Sequence, residues 1–480
     1  MKRANREGKS VVTPSNYLQD LLSTIADQGR NLLPKALRSV HPAEDIRELS
    51  EALLSVRGEA SGVAIATEVL GLYGRLSAEE RIDYLRYLAE TMQPDPAKVK
   101  EAAEAYLAAP DERALKALRA AAEGPRQGFF RRLNLAPGAT ASIVAMRVDL
   151  LNARDKALAG VDSDLMHLLT SWFNRGFLVL RRIDWQTPAA ILEKIIAYEA
   201  VHEIQGWDDL RRRLDPADRR CYAFFHPSLV DEPLIFVEVA LMRAIPDNIH
   251  SLLREAPKDA EAVEPNTAVF YSISNCQDGL RGISFGNFLI KQVVEDLVKE
   301  CASLKTFVTL SPVPGFADWL EGVRAAKDES LLDTEDLEAL ELLQDPDWWV
   351  DGEDAARLKP LLMRLAAHYF LNAKASDGKP VDPVARFHLG NGARLDRINW
   401  QGDTSAKGLR EAQGLMCNYR YELRDIEKNH EAYANEGEVA ASRQVYTLVR
   451  AERGRGKADF LAIPGLRTAR LPKPVKDGAD

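Results

Sequence analysis

Residues 267–316 constrain this chain more than any other stretch. They open on an apolar run, Ala268-Val269-Phe270-Tyr271-Ser272-Ile273-Ser274, and reach a glycine-punctuated turn, Gly279-Leu280-Arg281-Gly282-Ile283-Ser284-Phe285-Gly286-Asn287. From Phe288 to about Glu300 apolar residues recur at helical spacing. A second apolar run, Phe307-Val308-Thr309-Leu310, ends on Ser311-Pro312-Val313-Pro314-Gly315. The order predicts strand, glycine loop, helix, strand and polar corner, a βαβ-like unit. A glycine loop feeding a helix presents unpaired backbone N–H groups, so it can hold an anion. A serine just past the second strand is well placed to meet whatever that anion is attached to.

Upstream, the pattern is helical nearly throughout from Tyr17 to about Ala159. Ser77-Ala78-Glu79-Glu80 is a capping box, and Ile82, Leu85 and Leu88 recur behind it at helix spacing. With little β-branched content and no cluster of reactive groups, residues 1–168 read as an all-helical domain with a scaffold or self-association role rather than chemistry. Near residue 170 the texture changes. Strands are predicted over 177–183, 221–226 and 233–241, and a helix after Thr187-Pro188 to about His202. Residues 211–220 read as a polar loop, and Phe236, Glu238 and Ala240 as one less apolar strand face. Residues 317–382 read as mainly helical. Asn391-Gly392 predicts a turn between strand-like runs over 385–393 and 395–400, and a helix is predicted from about Ser405 into Asn418-Tyr419-Arg420-Tyr421. The fold class expected is therefore multidomain. An all-helical domain precedes a mixed β-sheet domain flanked by helices over 169–457, and a poorly ordered tail covers 458–480.

The formal net charge of -9 argues against non-specific nucleic-acid binding while allowing a local basic pocket for an acidic small molecule. The cysteines, Cys221, Cys276, Cys301 and Cys417, form no CxxC pair, so reduced thiols are expected. The histidines are scattered without HxxxH or HExxH spacing, and no metal is assigned. No apolar run is long enough to span a bilayer, the basic start does not read as a signal peptide, and the last residues are not a recognised sorting signal. A cytoplasmic location is the expectation.

Arg281-Gly282-Ile283-Ser284-Phe285-Gly286 approximates the pyrophosphate loop of the acetyltransferase superfamily that binds coenzyme A. Arg281 and Gly286 fit that pattern, and Ser284 stands where its middle glycine belongs. Asn287 could cap the following helix or add an amide contact. Two prolines fix the chain around Ser311, either to hold a reactive hydroxyl still or merely to make a rigid turn. His388 can deliver a proton near neutral pH; His226, at a strand end, is its rival. Tyr421 offers a phenolic donor or packs as a half-buried aromatic.

Across about residues 75–450 the chain resembles the malonyl-CoA decarboxylase family. The resemblance rests on Phe129-Phe130-Arg131-Arg132-Leu133-Asn134-Leu135, Trp172-Phe173-Asn174-Arg175-Gly176-Phe177, Leu310-Ser311-Pro312-Val313-Pro314-Gly315-Phe316, Phe387-His388-Leu389-Gly390-Asn391-Gly392-Ala393, Arg397-Ile398-Asn399-Trp400 and Asn418-Tyr419-Arg420-Tyr421. It implies a helical assembly domain forming a homodimer or homotetramer, followed by an acetyltransferase-like catalytic domain. It also implies decarboxylation of malonyl-CoA to acetyl-CoA and CO2 without metal or organic cofactor. The same resemblance puts the catalytic serine at Ser311, the catalytic histidine at His388 and the active-site tyrosine at Tyr421. The substrate loop falls on Arg281, Gly282, Ile283, Ser284, Phe285, Gly286 and Asn287. An acyl-CoA-dependent N-acetyltransferase and a non-enzymatic acyl-CoA-binding protein are the alternatives.

Overall fold

The computed structural model describes residues 42–55, 58–254, 264–283 and 288–450. The first part is all-helical, from Pro42–Ser55 through Glu59–Arg75, Ala78–Thr91, Pro125–Leu133 and Ala139–Ala153 to Ala159–Trp172. Local chemistry sets the helix starts. Ser77 Oγ accepts from the Glu80 N–H while the Glu80 carboxylate accepts from the Ser77 N–H, the capping box read from the sequence. Pro125 occupies the first turn of its helix, where its missing N–H costs nothing. That helix buries Phe129 and Phe130 completely. Its Arg132 donates to the carbonyl oxygens of Leu53 and Leu54 at 2.7 and 2.8 Å, closing the otherwise unpaired end of the first helix.

The second part is built on one mixed eight-stranded sheet. Its strands are β1 (Val179–Ile183), β2 (Arg219–His226), β3 (Leu229–Met242), β4 (Thr267–Asn275), β5 (Thr306–Thr309), β6 (Ser311–Pro312), β7 (Arg394–Asn399) and β8 (Met416–Arg420). The chain thus has the all-helical region and the mixed sheet with flanking helices that its pattern predicts, in the acetyltransferase-like arrangement that the resemblance implies. Strands β1 to β4 pair antiparallel in sequence order. Strands β4 and β5 are parallel and joined through the helix Phe288–Glu300, because a parallel return needs a long crossover. Their ladder stops soon after Phe270 and Thr309, with a last bond from the Leu310 N–H to the Phe270 carbonyl at 2.9 Å. Beyond it β4 runs on to Asn275, while Ser311 and Pro312 turn away to pair with Cys417 and Met416 of β8. The sheet therefore splits at the carboxyl ends of β4 and β5, where open α/β sheets place their ligands.

Three sequence expectations are corrected. Residues 211–214 are not loop but the end of a helix, Trp207–Leu214, which aims Arg213 into the core. There it meets Glu238 and Asp209, each at 3.2 Å. Glu238 consequently lies fully buried on β3, and the strand face that looked less apolar is covered. Residues 385–390 belong to a helix, Pro383–Gly390, not a strand: Asp382 caps it through the Ala385 N–H at 2.6 Å, and Pro383 pre-sets its first turn. Lastly, the helix after Ser405 stops at Ala412, since Gln413 and Gly414 adopt left-handed φ angles of 50° and 74°. Residues 416–420, expected as its continuation, form β8. The start of the helical pattern, over 17–41, and the tail over 458–480 lie outside the described residues.

Candidate active site

Ser311, His388 and Tyr421 come from three separate elements and meet in one place. Ser311 opens β6 at the point where the sheet splits. His388 is in the last turn of the helix Pro383–Gly390, and Tyr421 follows directly on β8. Ser311 Oγ lies 3.2 Å from His388 Nε2, and His388 Nδ1 lies 2.8 Å from the Tyr421 hydroxyl. All three side chains are buried.

Backbone and packing fix this line of atoms. Ser311 Oγ also donates to Thr309 Oγ1 at 2.8 Å; the two residues lie on one face because side chains alternate along an extended chain. Thr309 Oγ1 in turn accepts from the Tyr419 N–H at 3.0 Å, while the Thr309 carbonyl accepts from Asn418 Nδ2 at 2.7 Å. Asn418 Oδ1 accepts from Asn399 Nδ2 and Arg397 Nε, so the whole amide is held. The imidazole of His388 stacks on the Tyr419 ring, centroids 4.6 Å apart and planes 23° apart, which sets its plane. Gly315 lets the corner close: a Cβ there would stand 2.6 Å from the Tyr369 hydroxyl. That hydroxyl donates to Asp382, the cap of the histidine's helix.

The hydrogen-bond pattern determines the tautomer. Ser311 gives its one hydroxyl proton to Thr309, so it accepts from His388 and the imidazole proton sits on Nε2. Nδ1 is then bare and accepts from the Tyr421 phenol, which burial keeps protonated by holding it well above its usual range. Burial also pushes the imidazole down to about 3, so the histidine is neutral and donates from Nε2. This polarity is the reverse of a serine hydrolase, in which the histidine accepts from the serine.

A small depression beside the helix Phe288–Glu300 is lined by Ile290, Lys291, Val294, Asn391, Tyr421, Leu423 and Ile426; of the three residues of the cluster it touches Tyr421. Arg281, Gly282 and Ile283 precede that helix: the Arg281 side chain is exposed, Gly282 has a φ of 82°, and Ile283 is buried. Ser284, Phe285, Gly286 and Asn287 lie outside the described residues. His226, the rival histidine, packs on Phe173 with ring centroids 4.7 Å apart and accepts from the Ser228 N–H, in a different part of the sheet. Among the described residues no group of three or more His, Cys, Asp or Glu is arranged to hold a metal, and no helix is long and apolar enough to cross a membrane.

Thr309, Asn418 and Asp382 were not foreseen as parts of the site. Thr309 could have been found from its place two residues before Ser311 in an extended run. Asp382-Pro383 is a helix-start signal that would have put His388 on a helix. Nothing local marks Asn418, whose partners lie far away in the sequence.

Comparison with known proteins follows the same division. Residues 92–173 match the model of the malonyl-CoA decarboxylase N-terminal domain and residues 176–458 that of the malonyl-CoA decarboxylase C-terminal domain. The mitochondrial malonyl-CoA decarboxylase of Rattus norvegicus is 36% identical over 444 residues, covering 85% of this chain and 88% of the rat protein. The crystal structure of the enzyme from Rhodopseudomonas palustris is 56% identical, with a TM-score of 0.81, over 84% of this chain and 99% of that one. That from Cupriavidus metallidurans is 36% identical, with a TM-score of 0.66, over 85% and 99%. The cytoplasmic expectation is corrected by the curated relatives, since the rat, goose and mouse proteins are mitochondrial. It had been drawn from missing sorting motifs, and a missing motif carries no information about compartment.

Proposed function

The chain belongs to the malonyl-CoA decarboxylase family, and we propose that Ser311, His388 and Tyr421 are the groups with which it works. The protein is a carboxy-lyase that converts malonyl-CoA to acetyl-CoA and CO2. The observation that carries the residue assignment is the 3.2 Å approach of Ser311 to His388 at the split in the sheet, with Tyr421 on the far ring nitrogen.

The reaction breaks one C–C bond. Its electron pair moves into the thioester as an enolate, CO2 departs, and the α-carbon gains a proton. Donors aimed at the thioester oxygen lower the barrier. The Ser311 hydroxyl turns from Thr309 to the malonyl carboxylate and holds the breaking bond in line with the thioester π system. His388 donates from Nε2. Burial keeps it neutral, but the carboxylate brings a negative charge into a dry pocket and favours the imidazolium. CO2 leaves uncharged and the negative charge passes to the thioester enolate, so the imidazolium gives its proton to the α-carbon and the site returns to a neutral histidine. Tyr421 suits both states, because a phenol can donate to a bare Nδ1 or accept from a protonated one.

The substrate loop we propose comprises Arg281, Gly282, Ile283, Ser284, Phe285, Gly286 and Asn287, with backbone N–H groups toward the CoA pyrophosphate. Residues 1–168 are proposed to assemble a homodimer or homotetramer and residues 169–457 to carry catalysis; light scattering on the full chain measures the first. No nucleic-acid partner is proposed. The activity test is malonyl-CoA alone, with no amine acceptor. The wild type releases CO2; Ser311→Ala and His388→Gln release at least about a hundredfold less while binding coenzyme A normally. Full turnover in either variant would remove that residue from the mechanism.

A further inference from the structure

The substrate loop does not rest on the sheet domain alone. The turn that leads into it lies flush against the helix Ala139–Ala153: a Cβ on Gly279 would stand 2.1 Å from the Val144 carbonyl oxygen. Three residues on, Arg147 leaves the same helix and reaches the loop backbone. Its Nη1 donates to the Gly279 carbonyl at 2.7 Å and the Arg281 carbonyl at 2.8 Å. Its Nε donates to Asp162 Oδ1 at 2.7 Å, and Nη2 lies 2.8 Å from Met166 Sδ. Met166 in turn sits under Gly282, with Cε 3.4 Å from where a Cβ would be. Arg147 is 2% exposed, a charged side chain buried at the junction of the two parts of the molecule.

A buried guanidinium is costly to desolvate unless each donor is matched, and here two of its partners are loop carbonyls. We propose that Arg147 is a positioning residue for acyl-CoA binding. From the helical region it grips the carbonyl oxygens of Gly279, just before the substrate loop, and of Arg281, where that loop begins. The Arg281 side chain is thereby left outside, 72% exposed and, among the described residues, paired with Asp278 at 3.2 Å, from which it can turn to an anion. The fork geometry matters, because a single nitrogen bridges two carbonyls while a second is anchored by Asp162; an ammonium cannot make that set of bonds. The inference rests on the reading of residues 281–287 as the CoA loop. It adds that the helical region, which contributes none of Ser311, His388 and Tyr421, sets the enzyme's affinity for its substrate.

Steady-state decarboxylation and direct coenzyme A titration test this in the full-length protein. Arg147→Met should raise KM for malonyl-CoA and Kd for coenzyme A by about tenfold or more, with kcat within about threefold, since the loop is loosened but the reacting groups are untouched. Arg147→Lys should recover only part of the loss. Asp162→Asn is the milder probe, because that side chain is 31% exposed and an amide oxygen can still accept from Nε. It should raise KM about two- to fivefold without lowering the unfolding temperature to match. A purely structural Arg147 would lower stability and the active fraction, and so kcat, with KM unchanged; that result overturns the proposal. If the wild type neither binds coenzyme A nor decarboxylates malonyl-CoA, the fault lies with the family reading instead.

Discussion

Tyr421→Phe removes one oxygen and nothing else from the reacting line. Its loss leaves His388 Nδ1, now 2.8 Å from the phenol, without a partner in a fully buried site. An unmatched buried polar atom costs about 1–3 kcal/mol. Two effects follow in the transition state. The imidazole loses the donor that keeps its proton on Nε2, so part of the population carries it on Nδ1, where it cannot reach Ser311. The imidazolium, when it forms, loses the acceptor for its Nδ1–H. If the penalty falls on the transition state, about 1.4–2.8 kcal/mol corresponds to a ten- to hundredfold lower kcat. KM should change little, because the phenol is not part of the CoA loop. The assay is acetyl-CoA formation from malonyl-CoA under saturating substrate, with coenzyme A titration as control. A variant with wild-type kcat would show that the Tyr421–His388 contact has no role in catalysis, and the tautomer argument would fall with it.

Other outcomes follow from the same geometry. Malonyl-CoA binding to the Ser311→Ala variant should take up a proton near pH 7, seen as buffer-dependent binding heat, whereas acetyl-CoA should not, because burial leaves His388 at about 3 until a carboxylate arrives. Asp382 is raised by burial from 3.8 to about 6, so the folded state binds more protons than the unfolded between those values. Its contribution is present below 3.8 and is lost as pH rises through 6, up to ~3 kcal/mol. Asp382→Asn keeps a capping side chain, and its denaturation midpoint should fall less than that of the wild type between pH 4 and 7.5, within about that limit. Gly392→Ala should cost about 2–5 kcal/mol in chemical denaturation, because φ there is 79° and a Cβ would stand 2.2 Å from the Ile426 carbonyl oxygen.

Much of this arrangement is legible in the chain because its signals are local. The βαβ unit announces itself through two apolar runs, a glycine turn and a 3.6-residue period between them. Ser311 is marked by its prolines. His388 is found by type and neighbourhood but its element is not, because Asn391-Gly392 suggests a hairpin while the helix start at Asp382-Pro383 falls between the stretch that reads as helical and the run that reads as strand. The helix Trp207–Leu214 was missed for a related reason. Its arginines look like loop charge until one sees that Arg213 answers Glu238, a partner 25 residues away. Arg147 shows the limit most clearly, because its meaning depends on carbonyls 132 and 134 residues further along the chain. No period or motif encodes that distance; only the docking of the helical region on the sheet creates it.

The most direct measurement is a crystal structure of the His388→Gln variant with intact malonyl-CoA bound. The account predicts the pantetheine arm entering between the diverging ends of β4 and β5. The malonyl carboxylate should lie within hydrogen-bonding distance of Ser311 Oγ, and the thioester oxygen should face position 388. A malonyl group bound away from the split in the sheet, with Ser311 still hydrogen-bonded to Thr309, would contradict it.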